Sequence, residues 1–241
     1  KYNKILFLKE EEMRKIIYLI TKMLFMFTLT YTSEWSYKDQ NNWVIEYGKY
    51  QSPINIESEN VITSKDYKHL DIKLNSKFII EDNGHTINLK GSGISVLNKR
   101  VFNFIGKHIH SPSEHQINGI SYPMEFHFVH VSPNNKIGVI GVLVEIGTEN
   151  KEFQKILDHL KRKKIGEAVN INFDLLLPRN RGYYHYLGSL TTPPLSENVE
   201  WYIINEHIEI SRNQLKEFNN YYLNNNRKIQ ELKGRDIIEL K

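Results

Sequence analysis

Residues 107–130 read KHIHSPSEHQINGISYPMEFHFVH and contain five of the ten histidines of this 241-residue chain. In an extended strand, residues i and i+2 point to the same side, so His108 and His110 share a face, as do Glu125 and His127. Between these two runs, Asn118-Gly119 is a strong signal for a tight turn. The stretch therefore predicts two strands that fold back as an antiparallel hairpin and bring three imidazoles to one point.

Three neutral imidazoles around an open fourth position form the ligand set of a catalytic zinc site. His108, His110 and His127 are therefore the predicted metal ligands, and Zn²⁺ is the predicted cofactor. The alternative is that they are ordinary strand histidines, each hydrogen bonded to a neighbouring backbone group. The combination of His-x-His, a turn and Glu-x-His favours the metal. His130 has the opposite parity to His127, and both it and His115 are expected to be structural.

Length allows a single β-rich domain, and the charge shows no footprint of a nucleic-acid-binding protein. A chain of 241 residues can bury a sizeable core. The formal charge is +4, but residues 1–33 contain six Lys and Arg against three Glu, so the remainder is nearly neutral and has no basic footprint. The absence of cysteine excludes a disulfide, a thiolate zinc site and a nucleophilic cysteine.

Residues 1–33 have the pattern of a secretory leader. A basic start at Met13 is followed by a mostly apolar stretch over 16–29 and by small residues at 30–33 suited to cleavage. Lys22 interrupts the apolar stretch, which is short for a membrane span of about 20 residues. An uncleaved anchor is the alternative, and only in that case is a membrane a partner. We therefore expect a secreted or periplasmic protein.

The remaining residues, 34–241, predict a single β-rich domain with peripheral helices. Short β-type runs with turn signals between them cover 70–74, 77–81, 85–90 and 94–97, and the apolar run 137–146 is typical of a strand buried on both faces. Residues 149–164 predict a helix with one apolar face, β character returns over 183–204, and Ser211 is the predicted N-cap of a second helix.

Five motifs in order along the chain resemble those of the α-class carbonic anhydrases, of the bacterial secreted kind. They are QSPINI at 51–56, NGH at 83–85, HIHSPSEH at 108–115, YPMEFHFVH at 122–130 and GSLTTPP at 188–194. The resemblance extends from Trp35 to Ile237. It implies a mainly β single domain, a large twisted and mostly antiparallel sheet with short peripheral helices. It also implies reversible hydration of carbon dioxide to bicarbonate and a proton.

The resemblance further implies a role for each site residue. His108, His110 and His127 would bind zinc, Thr191 would accept a hydrogen bond from a zinc-bound hydroxide, and Glu114 would hold Thr191 in that orientation. His85 matches the proton shuttle, and Glu125 would orient a ligand histidine. The substrate pocket would have an apolar wall of Val129, Val139, Leu190, Val199 and Trp201, and a polar side of Tyr37, Asn88 and Thr192.

The residue types also support this chemistry without the family. A zinc ion held by neutral imidazoles keeps its positive charge and activates water. A threonine hydroxyl whose proton is committed to a carboxylate can only accept a hydrogen bond from the nucleophile, which orients it. A histidine with a pKa near 6.5 is the side chain best suited to pass a proton to buffer.

Gly106 and Lys107 depart from the family pattern next to a predicted ligand, and Ser36 and Lys228 depart from it away from the chemistry. Gly106 and Lys107 stand where Gln-Phe is usual, so a hydrogen-bond partner of a ligand histidine is missing, a loss that typically weakens metal affinity or activity by roughly 10–100-fold. Lys107 is expected to face away from the ligands, on the parity of Ile105 and Ile109, in an exposed or snorkelling position. The alternative function is a non-catalytic carbonic-anhydrase-like binding protein. Hydrolysis of activated esters is a weaker third possibility.

Overall fold

Strands make up most of the secondary structure, as the alternation of apolar and polar residues predicts. The computed structural model describes residues 35–45, 47–65 and 70–240, and the predicted leader lies outside them. The strands are β1 (Asn55–Ile56), β2 (Ile62–Thr63), β3 (Asp71–Leu74), β4 (Lys77–Asp82), β5 (Ile87–Lys90), β6 (Gly93–Leu97), β7 (Arg100–His110), β8 (Gln116–Ile117), β9 (Ile120–Ser121), β10 (Met124–Val131), β11 (Ile137–Ile146), β12 (Ala168–Asn170), β13 (Tyr183–Ser189), β14 (Glu197–Ile204), β15 (Ile208–Ile210) and β16 (Ile238–Leu240). The α-helices are α1 (Lys151–Lys161) and α2 (Arg212–Asn219), and short 3₁₀ helices span Tyr37–Asn42, Ser58–Asn60 and Phe173–Leu175. Within the described ranges, no helix is long and apolar enough to cross a membrane.

One large mixed sheet dominates the compact unit that begins at Ser36. Its main path runs β12-β4-β5-β7-β10-β11-β14-β13-β16-β2, with β3, β6 and β15 attached at its sides, and β1-β8-β9 form a small separate sheet. Most neighbours are antiparallel, but β11 runs parallel to β14 and β15, and β16 runs parallel to β2. The prediction of a mainly β fold with a large sheet is confirmed.

The individual elements lie close to their predicted positions. The apolar run 137–146 is β11, which is buried along most of its length. The first helix begins after Asn150, whose side chain caps its N-terminus, and the second begins after Ser211, which forms a capping box with Gln214. The Asn118-Gly119 turn has positive φ at both residues and joins the short strands β8 and β9, beyond the ends of the longer histidine-bearing strands β7 and β10.

A β-bulge in β7 determines which side chains face the site. Phe104 pairs with His130 and Gly106 pairs with Val129, so Ile105 is an extra residue on β7. The bulge reverses the parity of the strand. As a result, Ile105 is exposed, whereas Lys107 and Ile109 enter the main core.

The expected exposure of Lys107 is therefore wrong. Its side chain does face away from the predicted ligands, but it is 0% exposed, and its Nζ lies 3.5 Å from the ring centroid of Phe126 and 5.6 Å from that of Phe128. Nζ has no hydrogen-bond partner among the described residues. Burial lowers the pKa of Lys107 well below its ordinary value, because it removes the hydration of the charged form.

Candidate metal centre

The three predicted ligand histidines lie on two adjacent strands. His127 on β10 pairs directly with His108 on β7, and Glu125 pairs with His110. The rings of His110 and His127 are 4.4 Å apart between centroids, and both are buried, whereas His108 is half-buried. The predicted antiparallel pairing thus brings the three histidines to one face of the sheet.

Hydrogen bonds to the far side of two rings fix their orientation. His110 Nδ1 donates to the carbonyl of Asn225 at 2.8 Å, and His127 Nε2 donates to Glu125 Oε1 at 2.9 Å. The remaining nitrogens, Nε2 of His110 and Nδ1 of His127, are left for another partner. His110 Nε2 is buried and has no hydrogen-bond partner in the described part of the chain.

Burial keeps two of these rings neutral. It lowers the pKa of His108 to about 4 and that of His110 well below its usual value, with the nearby charge of a protonated His127 adding to the effect. Neutral imidazole is the form that binds a metal ion. At neutral pH the lone pairs are therefore available.

Two groups of side chains among the described residues could each hold a metal ion, because the donor atoms within a group all lie within 4.8 Å of one another. One contains His110, Glu114 and His127; the other contains His115, Glu125 and His127. The second is joined by hydrogen bonds, since Glu125 Oε1 accepts from both of its histidines. His108 belongs to neither cluster, although it is the cross-strand neighbour of His127.

Glu125 is shared by more groups than the sequence indicates. Its Oε1 accepts from His115 Nδ1 at 2.7 Å as well as from His127, and its Oε2 accepts the backbone N–H groups of Glu114 and His115. Burial alone would raise the pKa of Glu125, but its interactions with His115 and His127 hold that pKa well below the ordinary value. This carboxylate therefore stays ionised inside the protein.

Glu114 and Thr191 lie together beside the histidines, both buried. Glu114 Oε1 accepts the backbone N–H of Arg227 at 2.7 Å, and Oε2 is 3.8 Å from His127 Nδ1. Burial raises the pKa of Glu114 to about 7, against the influence of His127 and of the Thr191 hydroxyl, which lower it. The Thr191 contact is looser than a full hydrogen bond, because Oε2 has no such partner among the described residues.

The predicted shuttle His85 lies in the turn before β5. Asn83 Oδ1 accepts the backbone N–H groups of His85 and Thr86, and Gly84 takes the positive φ that this turn needs. The ring is half-buried and meets the ring of Tyr37 edge-on, with 6.4 Å between centroids. Partial burial lowers the pKa of His85.

The residues of the predicted apolar wall pack into one cluster. Cross-strand pairs link Val129 to Val139 and Val139 to Trp201, across β10, β11 and β14. The Trp201 ring lies 4.9 Å from that of His127, so this cluster borders the histidines directly. Its members from the predicted set are Val129, Val139, Leu190, Val199 and Trp201. Thr192 is half-buried in the turn that follows Leu190.

A family model described as eukaryotic-type carbonic anhydrase matches residues 31–241. The chain belongs to this family. Among curated carbonic anhydrases, that of Neisseria gonorrhoeae is 37% identical over 201 residues, which is 80% of this chain and 78% of the relative. That of Pectobacterium carotovorum is 31% identical over 240 residues, or 92% and 97% of the two chains.

A solved structure of a family member has the same fold. The α-carbonic anhydrase of Thermovibrio ammonificans, in complex with the inhibitor sulfanilamide, matches with a TM-score of 0.73 and 38% identity. The match covers 79% of this chain and 87% of that one. The sequence-based identification as an α-class carbonic anhydrase with bacterial relatives is confirmed.

Sequence reasoning missed Asn225, a residue that joins several parts of this carbonic anhydrase site. Its backbone carbonyl accepts a hydrogen bond from His110 Nδ1. Its side-chain Nδ2 donates to the carbonyls of His85 and Ile109, and its Oδ1 accepts the backbone N–H of Ser111. It thus ties the predicted shuttle turn to a predicted ligand. No local pattern marks it, because Asn225 lies in an irregular segment far along the chain.

The remaining histidines of the opening motif are structural, as expected. His115 uses Nδ1 for Glu125 and Nε2 for the hydroxyl of Tyr186 at 2.6 Å. His130 bonds the carbonyl of Phe128 through Nδ1 and Ser95 Oγ through Nε2. Every ring nitrogen of this pair therefore has a partner within the protein.

Proposed function

We propose that this chain is a zinc-dependent enzyme that interconverts carbon dioxide and water with bicarbonate and a proton. The observation that carries the proposal is His110 Nε2, a buried ring nitrogen with no hydrogen-bond partner among the described residues. An unpaired buried polar atom is costly and calls for a ligand. Nδ1 of His127 lies nearby, and the other nitrogen of that ring, Nε2, donates a hydrogen bond to Glu125.

Zinc fits this donor set. Neutral imidazoles with hydrogen-bonded far nitrogens are the usual ligands of catalytic zinc, and His108, His110 and His127 would supply three of them. We assign the third position to His108 and not to Glu114, because Glu114 already accepts the backbone N–H of Arg227. Bound there, zinc would supply the positive charge that makes water nucleophilic at neutral pH, an established property of carbonic anhydrases.

Thr191 and Glu114 would orient the nucleophile. The Thr191 hydroxyl has one proton, and a hydrogen bond to the neighbouring Glu114 carboxylate would commit that proton. The hydroxyl oxygen of Thr191 is then left to accept a hydrogen bond, which aims the lone pair of the attacking oxygen at the substrate carbon. The backbone N–H of Arg227 holds Glu114 in position for this task.

The apolar cluster beside the histidines is suited to carbon dioxide, which is small and uncharged. Val129 and Leu190 are its partly buried members, and Val139, Val199 and Trp201 are its buried ones. Such a surface holds the substrate without competing for the nucleophile. Thr192 and the polar side residues would face the charged product.

His85 would carry the proton away. Its ring is half-buried and its pKa is lowered, so the neutral form that accepts a proton predominates at neutral pH. The hydrogen bond from Asn225 Nδ2 to its carbonyl keeps the turn at the edge of the site.

The test is stopped-flow hydration of carbon dioxide by the purified chain, with zinc quantified in the same sample. We expect about one zinc per chain and fast hydration that His110→Ala abolishes, while His159→Ala on α1 leaves both unchanged. Bound zinc without hydration would support the alternative, a binding protein of the same fold. Absence of zinc after reconstitution would contradict the site assignment.

We also propose that the protein acts outside the cytoplasm, in the periplasm or the medium. The support is the leader pattern of residues 1–33 alone. Fractionation of cells that express the chain tests this proposal. Recovery of a shortened form in the periplasm or medium is expected, whereas full-length protein confined to the cytoplasm would contradict it.

A further inference from the structure

His108 differs from the other two predicted ligands in one respect. The rings of His110 and His127 each donate a hydrogen bond on the side away from their shared point, to Asn225 and to Glu125. The ring of His108 makes no hydrogen bond with any described residue. Metal-binding histidines almost always donate their second ring N–H to an acceptor that fixes the tautomer and the ring orientation. Within the described part of the chain, the acceptor for the His108 ring is therefore still to be assigned.

Gly106, the preceding residue on the same face of β7 as His108, cannot supply this acceptor. After the bulge at Ile105, positions 106, 108 and 110 share the site face of β7, and position 106 is glycine. Gly106 has negative φ, so its backbone does not require glycine. The absence of a side chain at this position is thus a matter of space.

Asn88 on the neighbouring strand occupies that space. A Cβ on Gly106 would come within 2.9 Å of Asn88 Oδ1, closer than two such atoms approach in proteins. Leu89 on β5 pairs with Lys107 in antiparallel register, so Asn88 stands across from His108 on the site face. Side chains directly opposite in an antiparallel pair have Cβ atoms about 4.5–5.5 Å apart. The amide of Asn88 is therefore within reach of the His108 ring.

Among the described residues, the oxygen of that amide has no partner. Asn88 Oδ1 is buried and accepts no hydrogen bond from any described residue. Buried amide oxygens are nearly always paired, so an oxygen left over on one strand, opposite a ring that lacks an acceptor on the next, forms a complementary pair.

We propose that Asn88 is a positioning residue for His108, whose ring N–H donates to Asn88 Oδ1 when the opposite ring nitrogen binds zinc. This inference rests on the zinc site proposed above. The bond fixes the His108 tautomer and stops rotation of a half-buried ring. Gly106 is part of the same arrangement, because any larger residue there would displace the Asn88 amide.

The test compares the rate of zinc release to a chelator in four zinc-loaded proteins. These are the native chain, Asn88→Ala, the double variant Asn88→Ala with Gly106→Gln, and the control Asn103→Ala on the exposed part of β7. We expect Asn88→Ala to release zinc roughly 10–100-fold faster. The double variant should return toward the native rate, because the glutamine introduced at position 106 supplies an acceptor from the same strand once the amide of Asn88 is gone. The control should match the native chain.

An Asn88→Ala release rate equal to the native one, in proteins that each hold one zinc, would overturn this inference and leave the proposed function intact. A double variant no slower than Asn88→Ala would overturn it as well. A native chain that fails to bind zinc would overturn the proposed function.

A second measurement needs no variant. In the zinc-loaded native protein with ¹⁵N-labelled histidine, the His108 ring N–H should give a slowly exchanging signal. Rapid exchange of that proton with water would overturn the inference.

Discussion

His110 donates its Nδ1 proton to the backbone carbonyl of Asn225, 115 positions further along the chain, at 2.8 Å. The Asn225 side chain holds that carbonyl in place through Ile109 and Ser111 on the same strand end. Asn225→Ala should therefore reduce the free energy of unfolding by about 1–3 kcal/mol, because buried groups lose their partners. Zinc affinity should fall roughly 10-fold or more, since the carbonyl that accepts from His110 is no longer held in place by the side chain.

Urea denaturation and competition with a zinc chelator measure these two effects. The exposed Asn213→Ala on α2 is the control. An Asn225→Ala protein with unchanged zinc affinity would show that the Asn225 side chain is not needed to hold the carbonyl that orients His110.

The lowered pKa of Glu125 makes the free energy of unfolding depend on pH. Its folded pKa lies below the unfolded value of about 4.3, so the unfolded chain binds more protons at low pH. The stabilisation is complete above the unfolded pKa and is lost as pH falls through the folded one. Glu125→Gln should cost about 3–5 kcal/mol at neutral pH, and the difference from the native chain should shrink in strong acid.

Denaturant titrations of the zinc-free chain at about pH 7 and about pH 3 measure this difference. The exposed Glu59→Gln should leave both values unchanged. A constant difference across the range would contradict the assigned role of the Glu125 charge.

Lys107→Met should stabilise the protein. Nζ of Lys107 is buried against Phe126 and Phe128 without a hydrogen bond among the described residues, and methionine has a similar shape without the polar end. We expect a gain of at least about 1 kcal/mol at neutral pH. The folded pKa is depressed, so the native chain gains stability as pH rises toward the unfolded value of about 10.4, and the advantage of Met narrows there.

Thermal or urea unfolding at about pH 7 and about pH 10 checks this expectation. Lys73→Met, at an exposed position on β3, is the matched control. A destabilised Lys107→Met protein would mean that the lysine nitrogen has a partner in solution.

Thr191→Val should slow hydration on the order of 10²-fold, because valine keeps the shape but offers no oxygen to orient the nucleophile. Thr191→Ser should retain most of the activity, since it keeps the hydroxyl beside Glu114. Zinc content should stay at the native level in both. Equal rates for the serine and valine variants, measured by stopped flow, would argue against orientation by this hydroxyl.

His85→Ala should lower kcat by roughly 10-fold or more in dilute buffer and leave kcat/KM unchanged, because proton release follows the chemical step. Added imidazole should restore kcat. A variant insensitive to buffer concentration would exclude His85 as the shuttle.

The sequence predicted the parts of this structure that depend on local spacing. Alternation in β7 and β10 placed His108, His110 and His127 on one face of the sheet, and turn and cap residues located the helices within a few positions. Long-range partners were not predictable in this way. Asn225 reaches the site through contacts that no local pattern encodes.

Lys107 shows a second limit of reasoning from parity. Its predicted exposure assumed that β7 keeps one phase from Ile105 to Ile109, and a lysine was expected to keep its charge in water. The strand changes phase at Ile105, and the apolar rings of β10 cover position 107. The residues before His108 indicate neither the bulge nor the packing of Lys107 against these rings.

The extra residue at Ile105 divides β7 into two segments whose side chains alternate in opposite phase. Before it, even-numbered side chains feed the main core; after it, odd-numbered ones do, and the even-numbered positions are freed for the site. Deleting this single residue would rotate everything upstream by half a turn against everything downstream. Either the residues before position 105 would then leave the core, or the histidines after it would leave the site face. One unpaired residue thus allows a single β7 to serve the requirements of folding at one end and of chemistry at the other.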